Sequence, residues 1–197
     1  NVQNFTTATD SQNTAVGYAA GGAVTTGTFN TIIGSLAGTS LTTGTDNTLV
    51  GAVAGDALTT GTTNVAVGIS ALGSDTKGSY STAIGRRSLL TQNFTTATDV
   101  YNVAVGASAG QSLTTGIQNT LIGGLAGDAL TDADDNVAIG LAALSADTLG
   151  SNSVAIGKSA LAAQNFTTAT DTYNVAVGWN AGLSVTTGTQ NTLMGGI

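Results

Sequence analysis

The pentapeptide Asn30-Thr31-Ile32-Ile33-Gly34 is one copy of the motif that decides the fold. The general form is Asn-(Thr/Val)-X-aliphatic-Gly, in which Ser twice replaces Asn. The motif starts eleven times, at Asn13, Asn30, Asn47, Asn64, Ser81, Asn102, Asn119, Asn136, Ser153, Asn174 and Asn191. Because self-similarity at a short, fixed period is typical of repeat architectures, the chain is predicted to be one continuous repeat array.

The spacing of the motif predicts β structure. Successive copies follow a 17-residue spacing, which is interrupted twice by a 21-residue step. Such a unit is too short for two packed helices and a loop, but it accommodates short strands between glycines. We therefore expect an all-β fold, a parallel β-solenoid of about eleven coils. Residues 1–197 are expected to be a single continuous solenoid region and a fragment of a longer fibre, with 1–12 as the end of a 21-residue coil and 13–197 as eleven motif units.

Three kinds of unit are present. Type A continues as Ala-Gly-X-X-(Leu/Val)-Thr-Thr-Gly, as in residues 37–44, and type B as Ala-Leu-X-X-Asp-Thr-X-Gly, as in residues 71–78. Type C is the 21-residue unit and contains Gln-Asn-Phe-Thr-Thr-Ala-Thr-Asp, found at residues 3–10, 92–99 and 164–171. The order A, A, B, C repeats, which gives a longer, four-unit period that runs from Asn102 to Asn174.

The fourth motif position is apolar in every unit and is predicted to form the inner core. Stacked coils would place these side chains in a continuous ladder of Val16, Ile33, Val50, Val67, Ile84, Val105, Ile122, Ile139, Ile156 and Val177, with Met194 in the last unit. Neighbouring residues of a strand face opposite ways, so the third position is expected to face outward. That position also carries Ile or Leu, as at Ile32 and Leu121. Because an outward apolar stripe is stabilised when neighbouring copies of the chain bury it around a common axis, we expect a parallel homotrimer.

The glycine after the ladder residue is expected at a corner that requires positive φ or close backbone approach. These corner glycines are Gly17, Gly34, Gly51, Gly68, Gly85, Gly106, Gly123, Gly140, Gly157 and Gly178. The Asn that starts each unit is expected to bond to the Asn one coil away, in a polar ladder.

Composition argues against several function classes. The net charge of −7 provides no basic surface for nucleic acid, and no apolar run is long enough for direct membrane insertion. The sequence contains no His, Cys or Glu, so neither an enzyme nor a cofactor is expected. Paired threonines such as Thr42-Thr43 leave an ice-binding hydroxyl array as an open alternative.

Several residues are candidates for binding. Asp132, Asp134 and Asp135 form the densest acidic stretch and leave a calcium site open, although a charged turn is the alternative. The 21-residue units are expected to bulge, and they carry the possible receptor contacts Phe94, Tyr101, Phe166, Tyr173, Arg86 and Lys158. For the aromatic residues, packing over their own loop or a neighbouring subunit is the favoured interpretation. For the basic residues, the default is solubility or pairing with a nearby Asp.

Residues 152–160, Asn-Ser-Val-Ala-Ile-Gly-Lys-Ser-Ala, resemble the head repeats of YadA-like trimeric autotransporter adhesins. Residues 13–20, with the Thr-Thr-Gly at 25–27, are equally similar to repeats of bacteriophage tail fibres. The resemblance implies a left-handed β-roll wound as a trimer. It also implies a structural or adhesive fibre segment on a virion or cell surface, outside the cell. Possible partners are a second and third copy of the chain and a host-surface glycan or protein receptor. The alternatives are a bacterial trimeric autotransporter adhesin head and an ice-binding β-solenoid.

Overall fold

The computed structural model describes residues 10–196. Residues 1–9, which hold most of the predicted first coil fragment and Phe5, lie outside the described residues. The described chain is all-β and forms a parallel β-solenoid of about eleven coils. It contains no helix that is long and apolar enough to cross a membrane.

One long sheet runs through all the coils. Its strands follow the order β1-β2-β3-β4-β6-β8-β9-β10-β12-β14-β15. Their bounds are β1 Thr14–Val16, β2 Thr31–Ile33, β3 Thr48–Val50, β4 Val65–Val67, β6 Thr82–Ile84, β8 Val103–Val105, β9 Thr120–Ile122, β10 Val137–Ile139, β12 Val154–Ile156, β14 Val175–Val177 and β15 Thr192–Met194. Two small parallel sheets join each type B coil to the type C coil after it, through β5 Gly78–Ser79 with β7 Thr98–Asp99 and β11 Gly150–Ser151 with β13 Thr170–Asp171.

The register of the long sheet places equivalent motif positions one above another. Val16 pairs with Ile33, and Ile33 pairs with Val50. The pairing holds across the first type C coil, where Thr82 pairs with Val103. With strands about 4.8 Å apart, the sheet is on the order of 50 Å long.

The prediction of which strand face is the core is wrong. The third motif position is fully buried from Ile32 to Ala176. The fourth position faces outward, and Val16 and Ile33 are 57% and 38% exposed. The predicted ladder is therefore in register, but it lies on the outside of the solenoid at Val16, Ile33, Val50, Val67, Ile84, Val105, Ile122, Ile139, Ile156 and Val177. Side chains alternate between the two faces of a strand, so an error of one residue in the inward positions places every side chain of the strand on the opposite face.

The buried Asn at the first motif position explains why the third position faces inward and the fourth faces outward. Asn47 is completely buried, and its amide bonds to groups inside the coil. Because side chains alternate along a strand, an inward first position places the third inward and the second and fourth outward. The apolar stripe proposed for subunit contact, which included Ile32 and Leu121, is consequently the core.

In several units the side chains at the third and ninth positions compensate in size. Leu49 fills the space beside Gly55, where a Cβ would lie 2.8 Å from Leu49 Cδ2. In the next unit the smaller Ala66 is accompanied by the buried Leu72. In these two units different residues fill the interior, as close packing requires. Where both positions are small, as at Ala104 and Gly110, Leu side chains of the neighbouring coils fill the space beside the glycine.

Each corner glycine has φ between 127° and 144°, from Gly17 to Gly178. A Cβ at Gly17 would lie 2.5 Å from the carbonyl oxygen of Gly34 in the next coil. A side chain at this corner would be strained by its backbone conformation and would also collide with the neighbouring coil.

Candidate functional site: the outer sheet face

The outer face of the long sheet carries the second and fourth motif positions of eleven strands. We call these residues the outer sheet face. The fourth positions are the ladder named above, and the second positions are Thr14, Thr31, Thr48, Val65, Thr82, Val103, Thr120, Val137, Val154, Val175 and Thr192. With Met194, the face consists only of Thr, Val, Ile and Met. A partly exposed surface of this length without a charged, amide or carboxyl side chain is a candidate interface.

Exposed apolar residues continue onto both edges of this face. The residue before each motif forms the amino-terminal margin, and the two residues after each corner glycine form the carboxyl-terminal margin. All the exposed large apolar side chains of residues 10–196 lie on the outer sheet face or on these margins. The margin residues are Phe29, Tyr80, Tyr101 and Tyr173 on the amino-terminal side, and Tyr18, Leu36, Ile69, Leu125, Leu141 and Trp179 on the carboxyl-terminal side. The other sides of the described coils expose none, so the solenoid has one apolar side.

The aromatic residues of the 21-residue coils divide into two groups. Tyr101 and Tyr173 are about half exposed, and Tyr101 stacks on Tyr80 with ring centroids 5.1 Å apart. Phe94 and Phe166 are only 8% and 7% exposed, which agrees with the expectation that these aromatic rings pack and not with receptor contact. Both rings are therefore buried within the 21-residue coils.

A ladder of buried asparagines runs along the interior, and the predicted bonding between coils is confirmed. Asn30 Nδ2 donates to Asn13 Oδ1 at 3.1 Å, and Asn47 Nδ2 donates to Asn30 Oδ1 at 3.0 Å. The same amides also donate to carbonyl oxygens, as Asn47 Nδ2 does to Gly61 at 3.0 Å. Each buried amide is therefore satisfied within the fold, as buried polar groups must be.

Where Ser replaces Asn, a buried cluster bridges the ladder. Gln92 Nε2 donates to Ser81 Oγ at 2.9 Å and to Asp75 Oδ2 at 2.6 Å, and Gln92 Oε1 accepts from Asn102 Nδ2 at 2.9 Å. Asp75 Oδ1 accepts from the backbone N–H groups of Gly78 and Phe94.

Asp147, Gln164, Ser153 and Asn174 repeat this cluster in the second four-unit period. Sequence reasoning missed both clusters. The available signal was the 17-residue spacing from the Asp of each type B unit to the Gln of the type C unit, which places the two in one column.

The acidic residues proposed for calcium do not converge. Asp132 Oδ1 accepts from the Thr115 hydroxyl at 2.7 Å, and Asp134 Oδ1 accepts from the Ile117 backbone N–H at 2.7 Å. Both bonds reach the preceding coil, whereas Asp135 lies on the amino-terminal margin. Within residues 10–196, no three acidic side chains are grouped as metal ligands would be, so the structure does not support the alternative of a calcium site at Asp132, Asp134 and Asp135.

The paired threonines do not present two columns of outward hydroxyls. The first Thr of a pair uses its hydroxyl within the solenoid, as when Thr42 Oγ1 donates to the Thr59 carbonyl at 3.1 Å. Thr25, Thr59, Thr114 and Thr131 make the equivalent bond to the next coil. This arrangement disfavours the ice-binding alternative, because only the second Thr, such as Thr43, is well exposed.

The basic candidates Arg86 and Lys158 are exposed on the carboxyl-terminal margin, four coils apart, so the fold does not bring them together. Elsewhere, burial raises the pKa of the half-buried Asp56 and Asp128 carboxyl groups above their ordinary values. Asp128 Oδ1 has no hydrogen-bond partner.

No cavity or cleft that could hold a small molecule is found within residues 10–196. Comparison of the chain with protein-family models, with curated proteins and with solved structures finds no match. The outer sheet face, its margins and the buried polar clusters are therefore the features from which a function can be inferred.

Proposed function

We propose that this chain is a non-enzymatic structural segment of an extracellular fibre, a shaft or head that supports attachment of a virion or cell to a surface. The observation that carries the proposal is the single eleven-stranded sheet, which passes through every coil without interruption. In such an array each coil contacts only its neighbours, so adding coils lengthens a rod without changing its cross-section.

The interior supports a mechanical role. Buried Leu and Ala side chains fill the core, and the Asn ladder joins coil to coil with satisfied hydrogen bonds. Hydrogen-bonded and close-packed interiors resist bending and local opening. The absence of His, Cys and Glu from the sequence agrees with a role that requires no chemistry.

The fibre is proposed to be a parallel homotrimer of left-handed coils, with the outer sheet face turned toward the common axis. Between its margins this face is about five residues wide, or roughly 16 Å, and on the order of 50 Å long. Its area of roughly 800 Å² per subunit is similar to the approximately 800 Å² that each partner of a stable interface buries. The subunit contacts are thus assigned to the fourth-position ladder, in place of Ile32 and Leu121.

Sedimentation equilibrium combined with electron microscopy of the purified chain tests this proposal. We expect a mass three times that of the chain and slender rods of uniform width. Gold labelling of the intact particle should then place the chain on an external fibre, and the exposed Tyr80 and Tyr101 are the proposed contact for a surface glycan or protein receptor. A compact monomer, or label confined to the particle interior, would contradict the proposal.

A further inference from the structure

The solenoid contains two equivalent junctions between a type B coil and the type C coil that follows it. In the first junction Tyr80 precedes strand β6, and Tyr101 precedes the neighbouring strand β8. One four-unit period later, the equivalent residues are Asn152 and Tyr173. The backbone φ is 63° at Tyr80 and 61° at Asn152, so the chain takes the same corner at both junctions. The two junctions therefore place these four side chains at matching points of the surface.

The first junction holds two aromatic rings face to face. The rings of Tyr80 and Tyr101 have centroids 5.1 Å apart and planes inclined by 16°. They are 42% and 50% exposed, so the stack lies at the surface of the coil. This corner therefore accommodates a flat six-membered ring against the face of a tyrosine, in the stacked contact that aromatic rings favour.

The second junction has only one of these rings. Asn152 occupies the position of Tyr80, and its side chain is too short to cover the ring of the neighbouring tyrosine in the same way. Tyr173 is 53% exposed, and within residues 10–196 no aromatic ring stacks on it. The ring face that Tyr80 covers in the first junction is therefore accessible at Tyr173.

Polar groups lie at the rim of this exposed ring. Asn152 Nδ2 donates to Asp171 Oδ1 at 3.0 Å, and the Tyr173 hydroxyl donates to Asp171 Oδ2 at 3.5 Å. Asp171 is exposed, and an ionised carboxylate can accept further hydrogen bonds at each oxygen. The Asp171 carboxylate is thus held beside the ring while it keeps acceptor capacity for a ligand.

We propose that Asn152, Asp171 and Tyr173 bind a neutral pyranose with equatorial hydroxyls, such as the glucose unit of a β-glucan. The axial C–H bonds of such a sugar form an apolar face, which packs on Tyr173 where Tyr80 packs on Tyr101. Its rim hydroxyls are donors for the Asp171 carboxylate. A sugar acid is disfavoured, because Asp171 and the net charge of −7 repel it. This inference rests on the attachment role proposed above and adds a site distinct from the Tyr80–Tyr101 contact.

Isothermal titration calorimetry with cellotetraose tests the site on the purified chain. A single shallow site of this kind should bind with a Kd on the order of 1 mM. Tyr173→Ala and Asp171→Ala should each weaken binding by about tenfold, and oligogalacturonate should bind the parent about tenfold more weakly than cellotetraose does. Asp132→Ala is the matched control, since it removes an exposed carboxylate elsewhere on the solenoid, and it should leave the Kd unchanged.

Exchanging the residues that differ between the junctions gives a second test. Asn152→Tyr should abolish binding, because the new ring covers Tyr173 as Tyr80 covers Tyr101. Tyr80→Asn should add a second site of similar Kd, because it gives the first junction the residues of the second. Each variant copies a junction that the chain already contains, so both should remain folded by circular dichroism.

The outcomes separate this site from the proposed assembly. If the parent assembles as a trimer but binds no cellotetraose, the saccharide site is refuted while the fibre proposal stands. If Asn152→Tyr is folded and binds as tightly as the parent, or if p-cresol binds in place of cellotetraose, the assignment of this surface to a sugar is refuted. A monomeric parent that binds cellotetraose, and loses this binding in Asn152→Tyr, would support the site and contradict the trimer.

Discussion

Truncation of Leu49 tests the assignment of the buried strand face. Leu49 is completely buried and lies between two glycines, and Cβ atoms placed at Gly38 and Gly55 would each lie 2.8 Å from its methyl carbons. Neither glycine has a side chain that could move into the space left by Leu49→Ala. Loss of a buried Leu costs roughly 2–5 kcal/mol, depending on how far the site can collapse, so we expect about 4 kcal/mol here.

Val50→Ala is the matched control, since Val50 is the next residue on the same strand and faces outward. We expect it to cost less than about 1 kcal/mol in dilute, unassembled protein. The free energy of unfolding, measured by circular dichroism in urea, distinguishes the two variants. An equal loss for both, or a larger loss for Val50→Ala, would refute the assignment of the third motif position to the core.

A second substitution sharpens this test by transferring the packing of the next coil. Leu49→Ala with Gly55→Leu recreates the pair formed by Ala66 and Leu72. Leu72 has φ of 52° and Gly55 has φ of 54°, so the backbone conformation is the same at both positions. The double variant should recover part of the stability that Leu49→Ala loses, whereas Gly55→Leu alone should destabilise the chain by collision with Leu49.

Three further variants test other features. Ile33→Asp should dissociate the proposed trimer and leave each chain folded, whereas Ile32→Asp should unfold the chain, because only Ile32 is buried; sedimentation and circular dichroism together distinguish these results. Asp75→Ala should lower the unfolding free energy by about 2–4 kcal/mol, since it leaves two buried backbone N–H groups and a Gln amide without their acceptor. A loss below about 1 kcal/mol in urea unfolding would contradict that role. Asp128→Asn should raise the melting temperature at neutral pH. Burial raises the pKa of Asp128, so the folded chain binds the proton more tightly than the unfolded chain does. Ionisation of Asp128 therefore lowers the stability of the folded chain as the pH rises through this pKa, and Asn removes that loss. The difference between variant and parent should disappear in acid, and a difference that persists there would refute this cause.

The fold was predictable because the spacing of the motif alone determines which residues stack. Val16, Ile33 and Val50 lie in one column, as their equivalent positions in the repeat require. Which face of the strand is buried was not predictable from that column. The second, third and fourth positions all carry apolar residues, so hydrophobicity does not distinguish the two faces.

Information about the buried face is nevertheless present in the comparison of units. Large residues at the third position, as at Leu49, occur with Gly at the ninth, while Ala66 occurs with Leu72. Such compensation arises when two side chains share one interior volume. Once the buried face of each strand is known, the opposite face can be identified as the candidate interface. The burial of Phe94 was not predictable in this way, because it depends on the path of the four extra residues of the type C coil, which the repeat spacing does not specify.

The Asp75 cluster has a consequence for how such solenoids change in length. The buried carboxyl group of each type B coil accepts hydrogen bonds from a Gln side chain and a Phe backbone N–H of the coil that follows. In a type A coil the position of this Gln is occupied by Leu, so a type B coil followed by a type A coil would leave its carboxyl group without the Gln donor. Type A coils present the same Asn and Leu to either neighbour and can be gained or lost singly. Types B and C are instead inherited together, so duplication, deletion or recombination that separates them should yield chains that fail to fold.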